Sequence, residues 1–388
     1  MILKDLEDDL AALDHQHLRR HRRVIDTPVG PRMTADGKPL LAFCSNDYLG
    51  LAHHPEIVEA LCAGARRWGA GSGASHLVSG HLRPHAALEE QLAEFVGLPR
   101  ALSFSTGYLA NMAVAPTLVG RGDAIFADRF NHASLIDAAL VSGAEHKRYA
   151  HNDTAVLEKL LSASTAKRKL ILTDAVFSMD GDLANLPRLF ELAEQHDAWL
   201  VVDDAHGFGV LGEHGCGSLS HFGLPASPRI VYMGTFGKAA GVAGAFVAGD
   251  TRVIEWLMQK ARSYIFTTAA SPALSCALLK SLELIAAGDD RRQKLAALIA
   301  RLRIGVGALA VDRGWHLANS PTPIQPIIVG ENKAALALSA ALEQHGFWVP
   351  AIRPPTVPMG SARLRLSLSA AHASSDVDAL LVALRQAA

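Results

Sequence analysis

Two residues of this sequence could share one piece of chemistry. One is Lys238, in the run Gly234-Thr235-Phe236-Gly237-Lys238-Ala239-Ala240-Gly241; the other is Asp203, first of the acids in Asp203-Asp204-Ala205-His206. A lysine amine condenses with an aldehyde to a Schiff base. A carboxylate pairs with a protonated pyridine nitrogen. These are the two protein groups that pyridoxal phosphate (PLP) chemistry needs most. Alone, Lys238 could be an exposed lysine in a Gly/Ala-rich turn, and Asp203 could cap a helix. Two acids ending a run as apolar as WLVV are nevertheless costly to bury without a partner, and a pyridinium supplies one. On this reading Lys238 holds PLP, Asp203 makes its ring an electron sink, and Asp204 is the structural member of the pair.

The elements that must position these groups are short apolar runs alternating with helical stretches. The strand candidates are residues 101–105, 124–128, 169–174, 199–204 and 229–234; helical patterns fall near 84–96, 107–119, 133–142, 153–164 and 187–197. Continuous apolar runs suit strands buried on both faces. The alternation predicts an α/β fold with a mainly parallel central sheet. Beyond Gly288 the pattern changes, and a smaller C-terminal α+β domain is expected. The expected boundaries are 1–45 for an N-terminal helix and arm, 46–288 for a large PLP-binding domain, and 289–388 for the small domain.

In open parallel sheets ligands bind beyond the C-terminal strand ends. The residues just past the strand candidates are Gly107 and Tyr108, then His132, Ser178, then Asp203 and His206, then Thr235 and Lys238. All would converge on one sheet edge. Gly107 and Tyr108 open a helix whose N-terminus offers backbone N–H groups to a phosphate, and Thr235 can add a hydroxyl. His132 can stack on the cofactor face and touch substrate; Ser178 and His206 can bond the phenolic oxygen of PLP. Each also has an ordinary structural reading as a cap or a loop residue. Arg363 and Arg365 share one face of an alternating strand, either as solvated surface or, if buried, as a carboxylate clamp.

Bulk properties exclude more than they assign. The net charge of −1 gives no reason to expect a nucleic-acid or membrane partner. Cys44, Cys62, Cys216 and Cys276 have neither metal-ligand nor redox spacing, so reduced thiols, a cytoplasmic location and no metal site are expected. Leu3, Leu6, Leu10 and Leu13 recur at helical spacing, which predicts an amphipathic N-terminal helix. A rival class, the NAD-dependent oxidoreductases, has its best case in Gly207-Phe208-Gly209-Val210-Leu211-Gly212, a G-x-G-x-x-G run after a strand. The context fails, because the chain continues as a glycine-rich loop instead of opening a helix.

Taken together, CSNDYLGLA (44–52), NHASLIDAA (131–139), VDDAHGFGVLGEHGCG (202–217), GTFGKAAGVAGA (234–245) and IRPPTVPMGSARLRLSLSAAH (352–372) resemble the α-oxoamine synthases. The resemblance runs from about residue 10 to the C-terminus. It implies a fold-type-I PLP-dependent transferase, an acyltransferase that joins an amino acid to an acyl thioester with loss of carbon dioxide. The wording of the segments is most similar to the biotin-pathway branch, which uses L-alanine and a pimeloyl thioester of coenzyme A or of acyl carrier protein. Sister enzymes use glycine with a short acyl-CoA. Carried onto this sequence, the resemblance implies that Asn46 and Arg365 hold the amino-acid carboxylate and that Thr356 lies near substrate. Arg20 is taken as the substrate contact within Leu18–Arg23. The resemblance further implies a homodimer with shared sites, in which Thr267 and Thr268 reach the neighbour's phosphate.

Overall fold

The computed structural model describes residues 2–16 and 18–387. The described chain divides into two compact units. The larger comprises Leu49–Ser178 and Asp182–Arg292; the smaller takes the described residues up to Tyr48, Met179–Gly181, and those from Gln293 onward.

The larger unit is built on a seven-stranded sheet. Its spatial order is Arg100–Phe104, Ala245–Gly249, Ile230–Thr235, Ala198–Asp203, Lys169–Asp174, Ala124–Asp128, Glu145–Tyr149. The last five of these run parallel, whereas Ala245–Gly249 is antiparallel to both of its neighbours. The expected α/β fold with a mainly parallel sheet is therefore present. Alternate residues feed two different cores. Leu170, Leu172, Val201, Val231 and Met233 pack on one face with Val114, Leu118, Ile254 and Leu257. Ile171, Leu200 and Val202 pack on the other with Phe126, Leu157, Phe177 and Leu189. Burying each such side chain contributes roughly 1.5–3 kcal/mol, so both faces fix the strand register. That register sets Asp174 level with Asp203, and Asp203 level with Met233, two residues before Thr235.

Two strands of this sheet were not anticipated. Glu145–Tyr149 is a polar edge strand, and Ala245–Gly249 is a fully buried strand of mostly small residues. The smaller unit holds a four-stranded antiparallel sheet ordered His316–Leu317, Ile324–Gly330, Ala362–Ser367, Ala351–Ile352. A second sheet pairs Arg32–Ala35 with Lys38–Ala42, and the latter with Phe347–Trp348. The amphipathic N-terminal helix forms over Ile2–His15, with Leu3, Leu6, Leu10 and Leu13 exposed. Among the described residues, no helix is long and apolar enough to cross a membrane.

Candidate active site

Beyond Arg100–Phe104 the chain turns into the helix Gly107–Leu118, capped by Thr106, whose hydroxyl accepts from the Leu109 N–H at 3.2 Å. The first N–H groups of a helix have no intrahelical acceptor, and here they belong to Gly107 and Tyr108. A Cβ at Gly107 would lie 3.8 Å from Thr235 Oγ1, so the helix start and the end of Ile230–Thr235 are neighbours. The Tyr108 hydroxyl donates to Asp137 at 2.7 Å, which leaves its backbone as the group available to an anion. Thr235 itself donates to the Gly244 carbonyl.

Asp203 ends Ala198–Asp203 and is 3% exposed, deep enough that its charge needs a partner. One carboxylate oxygen accepts from the Ala205 N–H at 3.0 Å and the other from Asn111 Nδ2 at 2.7 Å. Asn111 Nδ2 also donates to Ser134 Oγ, which lies 2.7 Å from His132 Nδ1. The His132 N–H donates to Asp174 at 2.7 Å. One network thus orients both Asp203 and His132. The outer side of His132 is exposed, as a stacking partner requires. Desolvation of its inner side holds the imidazole pKa below the usual value, against the pull of Asp203 and with the help of Lys238. Its ring is accordingly neutral near pH 7. Burial, and then the charge of Asp203, push the Asp174 carboxyl well up.

Lys238 Nζ lies 2.8 Å from His206 Nε2. Ser178, half-buried, closes the segment after Lys169–Asp174. Thr267 and Thr268 lie in the loop before Pro272–Ala286, where the Thr267 hydroxyl donates to the Thr268 carbonyl. The sheet edge therefore gathers Gly107, His132, Asp203, His206, Thr235 and Lys238. A separate pocket of about 670 Å³ is lined by Lys169, Ala198 and Arg229 at the opposite strand ends, away from these groups.

Asp204 differs sharply from its neighbour. It accepts from the Ser218 N–H and the Tyr232 hydroxyl, and burial pushes its carboxyl up to about 7. A Cβ at Gly207 would collide with Asp204 Oδ1. Gly209 and Gly212 have φ of 81° and 76° and lead into the short turn Glu213–Gly215. The glycines of the G-x-G-x-x-G run thus serve a tight turn around a buried acid and open no long helix. Sequence reading also missed Asn111 and His151. His151 bridges Asp128 and Asp182, and these contacts outweigh burial and push its pKa up to about 10.

In the smaller unit, Arg365 is buried and reaches Asn46 Oδ1 at 3.4 Å and Ser367 Oγ at 2.8 Å. Arg363, also buried, is instead consumed by an ion pair with Asp180 at 2.6 Å. Arg20 and Thr356 line a pocket of about 730 Å³ with Leu18, Trp348, Ile352 and Arg353. Arg353 Nε is buried without a hydrogen-bond partner, and burial and then Arg20 lower the guanidinium pKa.

The groups at the sheet edge fit PLP: an amine for its aldehyde, a buried carboxylate for its ring nitrogen, and a helix N-terminus beside a threonine for its phosphate. Comparison with known proteins agrees. Residues 38–384 match the family described as aminotransferase class I and II. The chain belongs to that family. It is 63% identical to 8-amino-7-oxononanoate synthase of Dechloromonas aromatica, over the full length of both chains. Among solved structures, a serine palmitoyltransferase from S. paucimobilis with a bound PLP–myriocin aldimine superposes with TM-score 0.90 at 27% identity, covering 99% of this chain and 96% of that one. The 8-amino-7-oxononanoate synthase of Francisella tularensis superposes with TM-score 0.76 at 30% identity, covering 89% and 97%. The resemblance drawn from the five sequence segments is thereby borne out, as is the fold-type-I expectation.

Proposed function

We propose that this chain is a PLP-dependent acyltransferase that joins L-alanine to a pimeloyl thioester, with loss of carbon dioxide, to give 8-amino-7-oxononanoate for biotin synthesis. The observation that carries this reading is the full-length identity of 63% to a curated synthase of that name, joined to a sheet edge whose donors suit PLP. When bound, PLP supplies an aldehyde that condenses with amines and a pyridinium ring that accepts the electron pair from Cα.

The chain's own residues do the rest. Asp203, held by Asn111 and the Ala205 N–H, keeps the ring nitrogen protonated. Gly107, Tyr108 and Thr235 would hold the phosphate, and Ser178 and His206 would contact the ring's oxygen side. Lys238 would hold the aldehyde and, as a free amine, would remove the Cα proton and later return one; His206 at 2.8 Å sets the position of its amine. Neutral His132 would cover the ring face and donate a hydrogen bond to the thioester oxygen as charge develops there. Asn46 and Arg365 take the amino-acid carboxylate. Arg20 and Thr356 take the acyl chain, in a pocket whose apolar wall of Leu18, Trp348 and Ile352 suits methylenes. The protein works as a cytoplasmic homodimer, with Thr267 and Thr268 reaching the partner's phosphate.

The test is thiol release and product mass from the PLP-loaded protein, with L-alanine or glycine against pimeloyl-CoA, pimeloyl-acyl carrier protein or acetyl-CoA. Turnover only with L-alanine and pimeloyl-CoA is expected. Turnover only with glycine and the short acyl donor would keep the family and overturn the substrate. A protein that works only with pimeloyl-acyl carrier protein would fix the carrier.

A further inference from the structure

A second cluster of chemically competent side chains lies in the larger unit and takes no part in the mechanism above. It comes just after the glycine-rich segment 69–74. A π-helical turn, His76–Gly80, brings His76 against His81, and the helix Arg83–Phe95 adds His85. The ligand nitrogens of the three rings all lie within 4.8 Å of one another. His76 and His85 are buried and His81 is exposed. The His76 ring is stacked on Tyr264 with an interplanar angle of 10°, which fixes its orientation. Burial, and then the neighbouring rings, lower the pKa of His76 to about 4; burial likewise lowers His81 and His85. Neutral imidazole is the form that binds metal.

We propose that His76, His81 and His85 form a site for a divalent first-row transition-metal ion, with His76 and His81 as the primary pair. Their Nδ1 atoms are 2.9 Å apart. Two nitrogens about 2.0–2.1 Å from one metal lie about 2.9 Å apart at a right angle and about 3.3 Å apart at a tetrahedral angle. The two nitrogens are thus close enough to share one ion with only a small shift of the rings. One Nδ1 carries the proton of the present contact. On binding, that proton moves to Nε2 of the same ring, both imidazoles stay neutral, and no proton is released. His85 joins by giving up the bond from the Leu82 N–H to its Nδ1, while its Nε2 goes on donating to the Ala270 carbonyl. The cysteines have no metal-ligand spacing, and His76-x4-His81-x3-His85 shares no single helical face, so the sequence pattern conceals the cluster.

The experiment uses untagged, PLP-loaded protein stripped with EDTA, alongside His81→Ala. His81 is exposed, so its replacement should leave the far-UV spectrum unchanged and lower the melting temperature only by the loss of its contact with His76. Calorimetry with Ni²⁺ and Zn²⁺ should show one ion per chain, with affinity falling by about tenfold or more in the variant. With Cu²⁺, electron paramagnetic resonance should show two or three coupled nitrogens in the parent and fewer in the variant. Equal stoichiometry and affinity in both proteins, or a copper spectrum unchanged by the substitution, would overturn the proposal.

Discussion

The C-terminal edge of the large sheet and the arginine pocket of the smaller unit treat polar groups in opposite ways. At the sheet edge the reactive groups are already held. Both Asp203 oxygens accept hydrogen bonds, His132 is bonded through ring and backbone, and Lys238 faces His206. In the pocket Arg19 and Arg23 are paired with Asp14 and Glu343, while Arg353 is repelled by Arg20 and its Nε is buried without an acceptor. A buried unmade hydrogen bond to a charged group is expensive. The first arrangement fixes angles and protonation before anything binds, which is what stabilises developing charge. The second holds a donor that an incoming acceptor would satisfy. On the proposed function, bond-making belongs to the sheet edge and recognition of the acyl donor to the pocket.

The most severe break is Lys238→Ala. With no amine to attach the aldehyde or move the Cα proton, turnover should fall by at least about 10²–10⁴-fold, and borohydride should no longer trap PLP on the chain. Retained coenzyme A release would remove Lys238 from the mechanism. Next comes Asp203→Asn. It keeps the shape and the Asn111 contact but removes the charge. PLP should remain bound, while exchange of the alanine Cα hydrogen with deuterated solvent should slow on the order of 10²-fold. Near-normal exchange would mean that another group protonates the ring.

Asn111 tests whether the sheet-edge network matters as a network. Asn111→Ala removes one hydrogen bond to the Asp203 carboxylate and one to Ser134, without touching a reacting atom. A bond to a charged group contributes about 1.5 kcal/mol or more. A drop of about tenfold in kcat is therefore expected, with KM for alanine little changed. If folding rather than positioning is the cause, kcat per PLP-loaded chain will be normal, and that ratio is the measurement that separates the two.

These residues also mark what the sequence revealed and what it withheld. The parallel strands were legible because burial on both faces writes them as continuous apolar runs, as in KLILTD. The edge strand Glu145–Tyr149 was hidden because only Tyr149 is buried, and Ala245–Gly249 because its mostly small residues come after a glycine-rich turn. Lys238, Asp203 and His132 were legible because each stands at or just beyond the C-terminal end of an apolar run, where an open parallel sheet binds its ligand. Asn111 was not. It sits inside the apolar helix Gly107–Leu118, and only the three-dimensional register shows that it faces Asp203. Nor could spacing alone separate Arg363 from Arg365: they share a strand face, yet one is paired with Asp180 and the other reaches Asn46.

The gentlest test falls on the pocket. Arg353→Met keeps the apolar stem while removing a guanidinium that is partly desolvated and repelled by Arg20. The folded chain should lose nothing and gain slightly in melting temperature, because a like-charge contact is relieved. If the pocket receives the carboxylate end of a pimeloyl group, KM for pimeloyl-CoA should rise by about tenfold, the value of one charge-assisted contact, with kcat within about twofold. That pattern is loss of uniform binding. An uncharged acyl chain of the same length separates recognition from crowding: its KM should be unchanged or lower in the variant. Should kcat fall while KM holds, Arg353 would belong with the bond-making groups, and the division between the two regions would fail.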